Sequence, residues 1–221
     1  MKRSRFRAAA DLVLNILIVV TTAWAVAQNF TGRSAALFGN ADFRCFRYFT
    51  TDSNVIAAVA SLLVLPWNVM QLKNPDKELP RGLMIYKFAT TVSVTVTLLT
   101  VVFFLCPTSY ARIGAGAIDA FFGGDLFVLH FSTPVLAVLS AVVLERQPTL
   151  ELRHALWGLA PTVVYSVVYV VMVIFQERWP DFYGFTFGGN LKMAPVSLVA
   201  MYLATLAISW AEWRWRRGKR K

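Results

Sequence analysis

Leu83-Met84-Ile85-Tyr86-Lys87-Phe88-Ala89-Thr90-Thr91-Val92-Ser93-Val94-Thr95-Val96-Thr97-Leu98-Leu99-Thr100-Val101-Val102-Phe103-Phe104-Leu105-Cys106 contains a single charge, Lys87. A helix crosses the hydrocarbon core of a bilayer in about 20 mostly apolar residues, and this stretch is long enough to do so. Five other runs have the same character: 8–28, 52–71, 124–144, 155–176 and 194–212. The reading is an all-α integral membrane protein, one six-transmembrane-helix bundle forming a single domain over residues 1–221. Composition agrees: 57% of residues are hydrophobic and only 15% charged, and the mean hydropathy is +0.56, far from the balance of a soluble domain.

The first run invites a second reading. Lys2, Arg3, Arg5 and Arg7 precede it and Ala25-Val26-Ala27 lies near its end, as in a secretory signal. The run is long for such a signal and contains Asp11 and Asn15, so a retained first helix is expected.

Basic residues in the connections set the orientation, because Lys and Arg are held on the cytoplasmic side during insertion. With six spans both termini share a side. That side collects fifteen basic residues outside the spans, against six on the other: Arg33, Arg44, Arg47, Arg112, Arg178 and Lys192. Both termini are therefore expected in the cytoplasm. The net charge of +10 then belongs to a membrane surface, not to nucleic acid. The tail Arg214 to Lys221 meets anionic headgroups, and Trp210, Trp213 and Trp215 form an interfacial belt.

Two polar islands interrupt this lipid-compatible chain. Phe49-Thr50-Thr51-Asp52-Ser53-Asn54 opens the second span; His130, Ser132, Thr133 and Pro134 lie early in the fourth. Polar groups inside a membrane are costly, so such clusters are functional sites or pairing partners by default. Both spans start on the outer side and His130 lies about 9 Å in, so the islands share a leaflet. If the two helices are neighbours, a threonine hydroxyl and an imidazole come within reach, the minimum for an activated nucleophile. Thr50 and Asn54, four apart, share a helix face; Thr51 points about 100° away. Asn54 is placed to hold the Thr50 hydroxyl or to donate to an oxyanion. Pro134 cannot donate to carbonyl 130, so the helix is expected to bend there and free that acceptor. Spacing alone equally fits a histidine that merely bonds neighbouring helices and hydroxyls that bond back to their own backbone.

Elsewhere the residues suggest structure. The Thr/Ser face of the third span reads as close packing. Asp11 and Lys87 read as an ion pair or as side chains reaching to the interface. Cys45 and Cys106 both fall on the outer side, where a disulfide is permitted, but two separate apolar thiols fit better. His130 and His154 lie at opposite membrane faces, which rules out one haem between them. Zinc-type Cys/His spacing, a phosphate-binding Gly loop and a Gly-x-Ser-x-Gly elbow are missing from the sequence. No cofactor and no metal are expected.

The order of these motifs resembles the androgen-induced-gene family of transmembrane threonine hydrolases, in its bacterial branch. Phe49-Thr50-Thr51-Asp52-Ser53-Asn54 is similar to its Phe-Thr-x-x-Ser-Asn signature. Leu129-His130 with Pro134 is similar to its fourth-helix segment, and Trp179-Pro180-Asp181-Phe182-Tyr183 to its aromatic loop before the last helix. The resemblance covers essentially the whole chain. Animal members cleave fatty acid esters of hydroxy fatty acids with a Thr nucleophile and a His. The resemblance thus implies a lipid ester hydrolase with Thr50 as nucleophile, Thr51 as fallback, and His130 as base. Asn54, Arg47 and Arg44 would meet the substrate, the arginines pairing with a fatty acid carboxylate or, equally, with lipid phosphates. The expected partners are a lipid with fatty acyl chains and the surrounding membrane lipids. The family's proline lies one residue further from the histidine than Pro134 does, and its aromatic loop is fuller. A non-catalytic lipid or small-molecule binding protein, or a structural or transport protein, is the alternative.

Overall fold

The structure is a computed structural model that describes residues 5–34, 41–75, 77–145 and 150–218, the side chains of 217 and 218 excepted. Lys2, Arg3, Arg146, the Arg217 side chain and the tail Lys219 to Lys221 lie outside it. Helix predominates among the described residues, which contain no strand. Among the described residues, six helices are long and apolar enough to cross a membrane: α1 Arg5–Phe30, α2 Phe49–Lys73, α3 Arg81–Ile113, α4 Gly124–Leu144, α5 Leu152–Phe175 and α6 Leu191–Arg216. This is the mark of an integral membrane protein, since a helix satisfies its own backbone where water cannot. A short distal helix, Gly116–Phe122, joins α3 to α4. Below, the end of the bundle that carries both chain termini is the terminal end, and the other is the distal end.

Five of the six expected spans fall inside observed helices, and the one expected at 155–176 runs one residue past the end of α5 at Phe175. The largest difference is in α3, which continues seven residues past Cys106. Pro107 does not stop it, because it enters in the first turn of a fresh α segment, Cys106–Ile113, where its missing N–H costs nothing.

Helix α3 is the hub. It packs against α2, α4, α5 and α6, while α1 closes the far side against α2 and α4. Of its most apolar stretch 56% is buried, against 11% for α6, which faces outward. The expected close-packing role of its hydroxyls holds: Thr90 and Thr91 both donate to the carbonyl of Lys87, Ser93 to that of Thr90 and Thr97 to that of Ser93. Satisfied this way, small polar residues let neighbouring helices approach. The same economy operates where α5 crosses α6. A Cβ on Gly158 would lie 2.9 Å from Ser209 Cβ and 3.1 Å from Val92 Cγ2, and Ser209 Oγ donates to the Ala155 carbonyl at 2.5 Å.

At the terminal end, a buried polar network ties four helices. Lys87 and Glu145, whose side chains are 2% and 1% exposed, form an ion pair. Lys87 Nζ also donates to Asn15 Oδ1 at 2.6 Å and to Ser140 Oγ at 2.8 Å. Ser140 Oγ donates to Asp11 Oδ1 at 2.7 Å, and Asn68 Nδ2 donates to Asp11 Oδ2 at 2.9 Å. Asp11 and Lys87 are thus buried members of one network, not side chains that reach out to the interface as their positions near the span ends suggest. Trp213 also departs from the expected belt. It is buried, and its Nε1 donates to the Leu150 carbonyl at 2.8 Å, while Trp210 and Trp215 stay exposed. Arg216 turns inward over the Phe88 ring, 5.0 Å from its centroid.

Removing one partner of a buried ion pair leaves the other charge uncompensated, at roughly 3–5 kcal/mol. Lys87→Met should therefore sharply lower the unfolding midpoint of purified protein in detergent. Lys87→Met combined with Glu145→Leu should recover much of the loss, as a thermal or denaturant unfolding series would show.

Candidate active site

The first turn of α2 is built from outside. Tyr48 precedes it in extended conformation and offers no side-chain cap. The cap comes instead from the α5–α6 connection: the Phe49 amide donates to Tyr183 Oη at 2.9 Å. Tyr165 Oη, on α5, donates to the Arg47 carbonyl at 2.6 Å. The aromatic loop is held by Asp181, which accepts from Tyr169 Oη at 2.8 Å, from the Phe185 and Thr186 amides at 2.9 and 2.7 Å, and from the Thr186 hydroxyl at 2.6 Å. Burial acts to raise the Asp181 pKa. The bonds from Thr186, Tyr169 and Phe185 overcome this and hold its carboxyl below the ordinary value. Tyr48 packs on Phe182 and Phe49 on Tyr165, with ring centroids 4.5 and 5.1 Å apart. The loop that the resemblance singled out thus sits on the turn that carries Thr50.

Helices α2 and α4 are neighbours, and Asn54 joins them. Its Nδ2 donates to the Thr50 carbonyl at 2.7 Å and to the Leu129 carbonyl at 2.9 Å. The Thr50 turn is therefore fixed directly against the residue before His130. Asn54 grips the carbonyl of Thr50, where spacing suggested the hydroxyl, and both amide protons are spent. Its Oδ1 is buried with no hydrogen-bond partner among the described residues. Asn54 can therefore meet a ligand as an acceptor, not as an oxyanion donor. Ser53 faces the other way, 2.9 Å from the Thr97 hydroxyl of α3.

The Leu129 carbonyl is available for a reason readable in the backbone. Around His130, Val128–Ser132 forms one π-helical turn, in which the Thr133 amide reaches back to the Val128 carbonyl. In that register the next amide, which would serve Leu129, belongs to Pro134 and does not exist. The acceptor freed by Pro134 is carbonyl 129, one residue before the expected 130, and Asn54 fills it. π-turns of this kind occur mostly as single insertions, frequently at functional sites.

His130 is buried. Its Nδ1 lies 2.6 Å from the Phe121 carbonyl, at the end of the short distal helix. A carbonyl only accepts, so Nδ1 carries the proton, and neutral His130 has its lone pair on Nε2. Among the described residues no protein group hydrogen-bonds to Nε2, and no direct hydrogen bond joins either threonine hydroxyl to the ring. Thr51 is buried and Thr50 half-buried.

The remaining expected residues lie at the rim. Arg47 ends the short helical turn Asp42–Arg47. Arg44 is exposed, with Nε donating to the Ala41 carbonyl at 3.2 Å and a guanidinium nitrogen 3.9 Å from Asp42. Cys45 and Cys106 are separate free thiols, and burial pushes the Cys45 thiol up.

Sequence reasoning missed three supports. Asp125, buried in the first turn of α4, accepts from Asn29 Nδ2 at 2.5 Å and from Ser34 Oγ at 2.6 Å. The Thr22 hydroxyl lies 3.1 Å from that of Thr133. Together these bind α1 to the His130 segment. The third support is the Phe121 carbonyl, a backbone atom invisible to side-chain pattern; Asn29 and Asp125, polar residues at span ends, were the available signal for the first. Among the described residues no cluster of His, Cys, Asp and Glu could hold a metal ion.

Asn54→Leu should leave the Leu129 carbonyl buried without a donor, at a cost of about 1–3 kcal/mol. The prediction is a lower unfolding midpoint than for Asn54→Gln or wild type, measured side by side in one detergent. Asp181 gives a pH signature. Its folded-state pKa lies below the ordinary 3.8, so its contribution is complete above that value and is lost as pH falls through the folded one. Fluorescence from Trp179, which packs on Tyr169 and Phe182, should shift on acidification below about pH 4 in wild type and already differ at neutral pH in Asp181→Asn.

No protein family model, no characterised protein and no solved structure matches the chain.

Proposed function

We propose that the distal site is the active centre of a membrane-embedded lipid ester hydrolase, set in the outer leaflet of a bacterial plasma membrane with both termini cytoplasmic. The observation that carries this reading is the Asn54 bridge, which holds the Thr50 turn of α2 against the His130 turn of α4. A neutral imidazole with its proton fixed on Nδ1 presents Nε2 as the base, the state general-base catalysis requires.

In the proposed reaction, His130 Nε2 takes the Thr50 Oγ proton as the oxygen attacks the ester carbonyl. His130 returns the proton to the leaving alkoxide, which departs as the alcohol. Water, deprotonated by the same nitrogen, then cleaves the Thr50 ester, releasing the acid and restoring the hydroxyl. Thr51 is the alternative nucleophile. Arg44 and Arg47 at the rim suit a substrate carboxylate, by charge-assisted hydrogen bonds. Acyl chains would reach the site from the surrounding lipid. The hydroxyl and imidazole are not yet bonded to each other, as is common before a substrate binds. The same gap favours the second reading, a non-catalytic lipid-binding protein.

A fluorophosphonate ester probe separates the two. Labelling of folded wild type, mapped by mass to Thr50 or Thr51 and lost in His130→Ala, is the expected result, with Thr50→Ala reducing ester hydrolysis at least 100-fold. A folded protein that takes no label and hydrolyses no fatty acid ester would overturn the hydrolase reading and leave the binding one.

A further inference from the structure

At the terminal end, far from the distal site, the outer surfaces of α5 and α6 enclose a groove of about 700 Å³, within the size range of sites that hold a small organic ligand. Its floor is made by the methyl groups of Ala155 and Ala207 and its walls by Leu156, Leu203 and Trp210. The groove exists because of the crossing behind it. Gly158 and Ser209 bring the two helices too close for larger residues, and the two alanines leave the outer side of that crossing shallow and open. Leu156, Leu203 and Trp210 are all more than half exposed, so a lipid chain reaches the groove without any helix moving.

The mouth of the groove is charged. Arg153 lines it, and Arg214 lies one turn past Trp210 on the same stripe of α6 and is exposed. Glu151 is shared between Arg81 and Arg153, at 2.9 and 2.8 Å. Among the described residues Glu151 pairs with Arg81 and Arg153 and no carboxylate pairs with Arg214, so positive charge is in excess beside an apolar slot. Glu151 is itself held below its ordinary value by Arg153 and Arg81, so this balance persists at neutral pH. Neither an acyl chain alone nor a free anion uses both features. An anionic phospholipid does, since basic pockets between helix ends bind acidic headgroups while the chain follows the helix surface.

We infer that this groove is a binding site for one anionic phospholipid, with an acyl chain along the Ala155–Ala207 floor and the phosphate between Arg153 and Arg214. The site is independent of the hydrolase reading, because it shares no residue with the distal centre and asks only for binding.

Native mass spectrometry of the delipidated full-length protein tests it, with palmitoyl-oleoyl phosphatidylglycerol and phosphatidylcholine as probes. Wild type should bind the first lipid about tenfold more tightly, given the effect of each basic residue near an anionic headgroup. Arg153→Gln combined with Arg214→Gln should abolish the preference, and Ala207→Trp, which fills the floor, should remove tight binding of phosphatidylglycerol. Leu203→Trp, on the wall, gives the same reading should Ala207→Trp fold poorly. Equal affinity of wild type for the two lipids, or phosphatidylglycerol binding unchanged by filling the groove, would overturn the assignment.

Discussion

Everything in the bundle is organised about charges that have no water to solvate them. Lys87 lies on the central helix with Glu145 as its counter-ion, and the charge is shared through Asn15 and Ser140 to Asp11 and Asn68. Desolvating such groups costs several kcal/mol per ion, which attraction offsets only with good geometry and satisfied lone pairs. The network meets that condition with residues from α1, α2, α3 and α4. Sliding any one helix by a turn would strand a charge, so the network fixes axial register where apolar contacts, equally content with lipid, cannot. The depth of the distal residues follows from that register. At the distal end the Asn54 bridge from the Thr50 turn to the Leu129 carbonyl ties α2 to α4 a second time.

The spans are legible because length and apolarity are chemical facts of the chain, independent of neighbours. The network is only half legible. Asp11 and Lys87 stand out within their runs, but their two readings, pairing or reaching to the interface, differ by rotation about the helix axis, which local sequence leaves open. Glu145 looks like a boundary residue at the end of α4. It becomes interior because α4 ends in a π-helical stretch, Leu139–Leu144, in which the Glu145 amide reaches back to the Ser140 carbonyl. Trp213 misleads in the same way: its type suggests the interface, whereas its neighbours put it inside.

Proline placement shows how close sequence reasoning can come to the site. Pro134 does free a carbonyl, and a polar group does use it. The π-turn moves the acceptor from residue 130 to residue 129, a shift of one position that decides which atom Asn54 can reach. Helix α3 repeats the arrangement: Val101–Leu105 is π-helical, the Cys106 amide returns to the Val101 carbonyl, and Pro107 follows. In both helices the proline stands just past the turn, where the widened register has already used the last amide before it. The rule that proline removes the bond to residue i−4 assumes an α register, and the sequence does not announce when that assumption fails.

The two polar layers differ in how completely their polar groups are paired. In the terminal layer, Asp11, Asn15, Asn68, Lys87, Ser140 and Glu145 bond to one another across helices. In the distal layer, no described residue hydrogen-bonds to the buried Asn54 Oδ1 or to His130 Nε2, while Phe121 fixes Nδ1. A buried acceptor left unmatched costs about 1–3 kcal/mol, and the groups around it are too well held by Asn54, Tyr183 and Asp181 to relax and remove it. On the proposed reading, a donor on the bound lipid would satisfy the amide oxygen and a hydroxyl would satisfy the imidazole.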